Sequence, residues 1–104
     1  MPKGYWIAHV DVSDAEAYKL YVAANAAAFT KYGARFLVRG GAFECPEGSV
    51  RARTVVLEFP THEAARACYG SPEYAEALAL RRNASEADII IIAGYDGPQP
   101  GGTA

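Results

Sequence analysis

His9, Arg39 and Glu58 are the residues of this sequence best suited to carry chemistry. An imidazole titrates near neutral pH and can pass a proton. A guanidinium can clamp an anion through its planar fork of donors. A carboxylate can orient the imidazole or act as a base itself. Asn25 could hydrogen-bond a ligand from a helix face, and Tyr69 and Tyr74 flank a helix break where they could rim a pocket opening. A plainer reading accompanies each: an ion-pair network at a subunit seam for His9, Arg39 and Glu58, a helix-boundary or interface amide for Asn25, and ordinary packing for Trp6. Arg81 and Arg82 read as solvated or interface residues. Cys45 and Cys68 lack metal or CxxC spacing, and His9 and His62 are far apart, so no metal centre is expected and both thiols are expected to be reduced.

The elements that must position these side chains follow from the residue pattern. Tyr5–Val12 is aromatic and β-branched, which favours a strand. Ser13-Asp14-Ala15-Glu16 reads as a capping box opening an Ala-rich helix to about Tyr32, stopped by Gly33. Asn25 interrupts the apolar stripe of that helix. Ala34 to about Phe43 reads as a second strand, with Gly40-Gly41 loosening or bulging its end, followed by a loop to Ala52. Arg53–Phe59 is the third strand. Thr61 caps a short helix to about Tyr69, and Ser71-Pro72 begins another that runs to about Asn83. Asp88–Tyr95 is the fourth strand. The order β-α-β-β-α-β predicts an α+β, ferredoxin-like subunit. One domain is expected over residues 1–96, with a flexible Pro/Gly-rich tail over 97–104.

Alternation along each strand sorts its residues onto two faces. Trp6, Ala8, Val10, Val12, Phe36, Val38, Val55, Leu57 and Phe59 form an apolar set expected beneath the helices. Tyr5, Ile7, His9, Asp11, Arg35, Leu37, Arg39, Thr54, Val56 and Glu58 form the opposite, mixed set. The fourth strand is apolar on both faces. Leaving Ile7, Leu37, Val56, Ile90 and Ile92 in water would forfeit roughly 1.5–3 kcal/mol each. The second face is therefore expected to be covered by another copy, giving a homodimeric α+β barrel with His9, Arg39 and Glu58 in its interior.

The chain has 104 residues, of which 51% are hydrophobic and 21% charged, with a net charge of −2. That composition argues against disorder. The acidic balance removes the electrostatic footprint of a nucleic-acid binder. No apolar run reaches the roughly 20 residues of a membrane helix, and no signal peptide is legible, so neither nucleic acid nor membrane is expected as partner and the location is expected to be cytoplasmic. No phosphate-cradling loop or cofactor motif is present in the sequence, and none of these readings calls for a cofactor.

Gly4-Tyr5-Trp6-Ile7-Ala8-His9-Val10-Asp11-Val12, Tyr32-Gly33, Phe36-Leu37-Val38-Arg39-Gly40-Gly41, Glu58-Phe59-Pro60, Tyr69-Gly70-Ser71-Pro72-Glu73-Tyr74 and Ala87-Asp88 together resemble the domain of unknown function 1330 family. The match runs from about Pro2 to Asp96. It implies a ferredoxin-like subunit in the dimeric α/β-barrel superfamily, which also holds cofactor-free monooxygenases, muconolactone isomerase-like enzymes and haem-degrading enzymes. The family has no settled reaction and so implies no established site. Asn25, Trp6 and His9 match residue types of the haem-degrading relatives, but Trp6 and His9 should point to opposite faces of their strand, which argues against a haem site. Three functions remain open: a cofactor-independent enzyme acting by acid–base or oxidative chemistry on a small organic molecule, a non-enzymatic ligand-binding module, and a purely structural dimer.

Overall fold

A computed structural model describes residues 2–102. The elements are β1 (Gly4–Val12), α1 (Ala15–Lys31), β2 (Arg35–Arg39), β3 (Arg53–Phe59), α2 (His62–Tyr69), α3 (Pro72–Arg81) and β4 (Ser85–Ala93). The strands form one antiparallel sheet in the order β2-β3-β1-β4. This is the ferredoxin-like arrangement, with its second helix divided at Gly70-Ser71. The final two residues of the expected tail lie outside the described residues.

Local chemistry accounts for the element ends. Asp14, not Ser13, caps α1: its carboxylate accepts from the Ala17 N–H at 3.1 Å. The Ser13 and Asp14 N–H groups instead donate to Ala84 O, at 2.8 and 3.1 Å, tying the end of β1 to the turn before β4. That tertiary tie moves the cap one residue along from the expected box. At the other end, Gly33 has φ +73. The Gly33 and Ala34 N–H groups donate to Thr30 O and Phe29 O, the paired bonds of a Schellman stop. Thr61 and Ser71 cap α2 and α3 as expected, accepting from Ala64 N and Tyr74 N.

The core lies between the helices and one face of the sheet. Trp6 is its hub, with ring centroids of Phe29, Phe59, Tyr69 and Tyr74 at 5.0–5.6 Å. The Trp6 indole N–H donates to Ala65 O at 2.8 Å, so the ring is buried without an unsatisfied donor. From α1, Tyr21, Asn25, Ala28 and Phe29 turn inward at helical spacing. Tyr74 and Ala77 do the same from α3.

The sheet departs from strict alternation at one place. Arg35 pairs with Glu58 and Phe36 with Leu57, but Val38 then pairs with Val56 and Arg39 with Val55. Leu37 is the extra residue of a β-bulge, three positions before the glycines expected to cause one. An inserted residue exchanges the faces of everything that follows it until the strand ends. Val38 consequently joins Val56 on the outer face, 42% exposed, while Arg39 joins Val55 on the helix face. Strand β2 ends at Arg39 rather than Phe43, because Gly40 adopts φ +69 as its N–H donates to Thr54 O. Strand β4 begins at Ser85, three residues earlier than expected, in register with Val12. Val12, assigned beneath the helices by alternation, is exposed at the end of β1, where it pairs with Ser85.

Candidate functional site

The three residues singled out for chemistry do not assemble. His9 lies on the outer face, half-buried, with Nδ1 2.9 Å from Thr54 Oγ1. Glu58 is on the same face but opposite Tyr5, four residues along β1 from His9, or about 13 Å at a strand rise near 3.3 Å. Its carboxylate is already engaged by the Tyr5 hydroxyl (3.2 Å) and Lys3 Nζ (3.3 Å), with Arg35 Nε at 4.0 Å. Burial, and then this carboxylate, push the Tyr5 phenol above its ordinary range. Arg39 is on the other side of the sheet, with its guanidinium 4.1 Å above the Phe36 ring.

His9 borders an open polar groove of about 350 Å³ with Asp11, Ser49, Val50, Arg51 and Asp88. Arg51 crosses this groove and binds three carboxylates: Asp11 at 2.9 Å, Asp88 at 2.9 Å and Glu86 at 3.2 Å. Hydrogen bonds from Arg51 to Asp88 and then Asp11 push the guanidinium pKa higher still. The Ala52 N–H, and then Arg51, hold the Asp11 carboxyl below its usual range. One cation among three anions makes the groove net negative, and the cluster fastens the β2–β3 loop to the ends of β1 and β4. The sequence carries no local sign of this clamp, since its members come from three separate segments.

A different group of residues converges on the helix side. A cavity of about 40 Å³ lies between α1, the last turn of α3 and the sheet. That is room for about three water molecules or a small head group. Trp6, Val22, Phe29, Phe36, Val55 and Leu57 supply much of its apolar wall, and Asn25, Arg39, Arg53 and Arg81 its polar part. Strand register orders the wall. Arg53 stands opposite Val10 and Arg39 opposite Val55, toward the end of β1 that meets the α3–β4 turn. Trp6, Leu57 and Phe36 lie further along. The cavity therefore has a cationic end and an aromatic end.

The cationic end is uncompensated. None of Arg39, Arg53 and Arg81 forms an ion pair among the described residues. Arg81 is only 7% exposed, which overturns its reading as a solvated surface residue. It sits one helical face-repeat beyond Tyr74 and Ala77, so the turns of α3 carry it into the core with them. The Nε groups of Arg53 and Arg81 are buried and have no hydrogen-bond partner. Arg81 lies over the Tyr21 ring at 5.6 Å and Arg53 is only half-buried, but a buried donor left without a partner still costs stability. Arg53 is kept in place by Gly40: a side chain at that position would collide with the Arg53 guanidinium.

Asn25 is buried and on the cavity wall. Tyr69 and Tyr74 are not on that wall. Tyr74 is fully buried, with its hydroxyl 2.9 Å from that of Tyr21, while Tyr69 is partly exposed beside Trp6. Tyr74 is thus a core residue and not a pocket rim, because the tight turn at Ser71 directs it inward. Burial, and then the neighbouring Tyr74 phenol, push the Tyr21 hydroxyl far up, and burial raises Tyr74 as well. Both phenols stay neutral near pH 7. The cavity wall carries no carboxylate and no imidazole. It can bind an anion and stabilise developing negative charge, but holds no base of its own.

Arg53 and Arg81 are cavity-lining residues that the sequence pattern did not single out as candidates. Their signals were present: Arg53 is in phase with Val55, Leu57 and Phe59, and Arg81 is in phase with Tyr74 and Ala77. Each reads as a strand start or helix end, where a charge ordinarily reaches water.

Among solved structures, the chain is similar to the RPA0582 protein of Rhodopseudomonas palustris, with a TM-score of 0.75 and 19% identity over 96% of this chain and 84% of that one. It is also similar to SnoaB, a cofactor-independent oxygenase from Streptomyces nogalater, with a TM-score of 0.61 and 14% identity over 93% and 97% of the two chains. A protein of unknown function from Bacteroides fragilis, described as dimeric and ferredoxin-like, matches at a TM-score of 0.51 and 13% identity, over 88% and 95%. At these identities the likeness shows the fold. No curated protein matches the sequence. No helix among the described residues is long and apolar enough to cross a membrane. The family model of DUF1330, a domain of unknown function, matches residues 3–95, and the chain belongs to that family.

Proposed function

We propose that the protein binds a small, partly apolar organic anion in the helix-side cavity, working as a homodimer whose subunits meet through the outer faces of their sheets. The observation that carries the binding site is the set of three guanidiniums without carboxylate partners on the wall of one apolar cavity. Convergent polar groups in an apolar recess are the usual form of a small-ligand site. The aromatic end suits a ring or short hydrocarbon body, and Arg39 stands at the exposed edge through which a ligand can enter. The homodimer is supported by the outer face, where Ile90 is 52% and Ile92 45% exposed beside Val56 and Ile7. The Bacteroides fragilis neighbour, described as dimeric, agrees with that reading.

Titration calorimetry with benzoate and other small aromatic acids tests the site. Binding is expected to weaken at least tenfold in Arg39→Met and to be unchanged within twofold in His9→Gln. Loss only in His9→Gln would move the site to the outer face, and equal losses in both variants would overturn its assignment to the helix-side cavity. Enzymatic turnover without a cofactor, the activity named for SnoaB, is the second reading. The same guanidiniums support it, because they can stabilise the enolate oxygen formed when solvent hydroxide takes the α-proton of a bound carbonyl compound and becomes water. Solvent-deuterium incorporation beside the carbonyl of a keto acid, faster with protein than without, is the expected outcome. Binding without exchange leaves a ligand-binding module.

A further inference from the structure

Resting on the reading of the helix-side cavity as an anion site, we infer that the head group seated there carries two negative charges. It is a phosphate monoester or a short dicarboxylate, and not a lone carboxylate. The three arginines of the wall are not equivalent. Arg39 is exposed and stacked on Phe36, so water and the ring already stabilise it. Arg81 also lies over a ring, 5.6 Å from the Tyr21 centroid, but it and Arg53 are the two whose Nε–H groups are buried and without a partner. Arg81 is more than nine-tenths buried and belongs to the helix layer, while Arg53 belongs to the sheet.

A guanidinium binds an oxyanion best through two parallel N–H groups of one edge. Arg53 and Arg81 line the same small cavity from opposite layers, each with its Nε–H unpartnered. One carboxylate can pair fully with one guanidinium edge, which leaves the second guanidinium without a counter-ion and its Nε–H unpaired. A dianion satisfies both. A phosphate offers three oxygens from one centre, and a short dicarboxylate offers two oxygen pairs. The volume of about 40 Å³ admits a compact head of this kind and little else without movement, so the organic body must extend toward Arg39 and the exposed edge. Asn25, buried on α1, adds an amide donor at the helix wall.

The test is titration calorimetry of the full chain at pH 7.5 with phenyl phosphate, malonate and benzoate as probes. At least one dianion is expected to bind tenfold or more tightly than benzoate. Whichever of the two shows the advantage identifies the head group as phosphorus- or carboxylate-based. Arg53→Met and Arg81→Met should each reduce that advantage to about twofold or less. Arg53→Lys, which keeps the charge but loses the two-donor edge, should recover only part of it. If Arg81→Met fails to fold, as judged by circular dichroism, the two Arg53 variants carry the comparison. Benzoate binding as tightly as both dianions would overturn this inference and leave the anion site standing. No binding by any probe would overturn both. For phenyl phosphate, affinity should also rise between pH 5 and 7.5 as the dianion forms, since such groups lose their second proton near pH 6; a flat profile would count against a phosphate head.

Discussion

The two faces of the sheet are built from the same strands and solve the problem of charge in opposite ways. On the outer face every prominent carboxylate has a partner: Glu58 has Lys3 and the Tyr5 hydroxyl, and Asp11, Glu86 and Asp88 share Arg51. What remains unsatisfied there is apolar surface. On the helix face the apolar groups are satisfied, with Trp6, Leu57 and Phe59 almost fully buried, and what remains unsatisfied is positive charge. An unmet apolar surface calls for another surface, while an unmet charge in a recess calls for a counter-ion. That difference is what supports the proposal of protein association for the outer face and of a small ligand for the inner one.

The strongest way to break the contrast is at the hub of the inner face. Trp6→Ala should destabilise the fold by about 3–5 kcal/mol, since it removes the ring on which four aromatics pack. Chemical denaturation measures this, and a loss below 1 kcal/mol would mean that the core does not depend on Trp6. On the outer face, Ile90→Glu should convert the proposed dimer to a monomer in light scattering while leaving the proposed anion binding within a few-fold. A variant that remains dimeric at micromolar concentration would show that the subunits do not meet there.

Smaller effects sharpen the picture. Tyr74→Phe leaves the Tyr21 hydroxyl buried without its 2.9 Å partner, and about 1–2 kcal/mol of stability should be lost in the same denaturation assay. Acidification should release the β2–β3 loop. The folded-state pKa of Asp11 is depressed, so its contribution is complete above the unfolded value near 3.9 and is lost as pH falls through the lower folded value. Faster hydrogen exchange at Ala52, relative to amides of the core strands, should appear below pH 4 and be present already at pH 6 in Asp11→Asn. The two thiols give the mildest contrast. Burial pushes the Cys68 thiol up to about 12, whereas Cys45 is exposed. A thiol reagent at pH 7.5 should label Cys45 rapidly and Cys68 only on unfolding, which mass spectrometry can read.

Much of this architecture was legible in the residue pattern. The element order, the bounds of β3, the caps Thr61 and Ser71, the stop at Gly33 and the aromatic inner face all arise from short-range rules. So does the placement of Asn25, an amide in phase with Tyr21, Ala28 and Phe29. The candidate site was legible only in part. Alternation put Arg39 beside His9, and a single extra residue in a five-residue strand put it on the other side of the sheet. Leu37 has no local chemistry that marks it as a bulge, whereas the adjacent Gly40-Gly41 does.

The sequence by itself determined the fold, because hydrophobic period, caps and turns act over a few residues and agree with one another. It also determined that one sheet face carries more apolar surface than a lone subunit can bury. Only the tertiary structure decided which charges share a space. The register of β2 on β3 set the face of Arg39, and the docking of α3 against α1 and the sheet drew Arg81 out of water. Both are outcomes of pairing between distant segments. A guanidinium looks the same in sequence whether the surface beside it is solvent or the wall of a cavity.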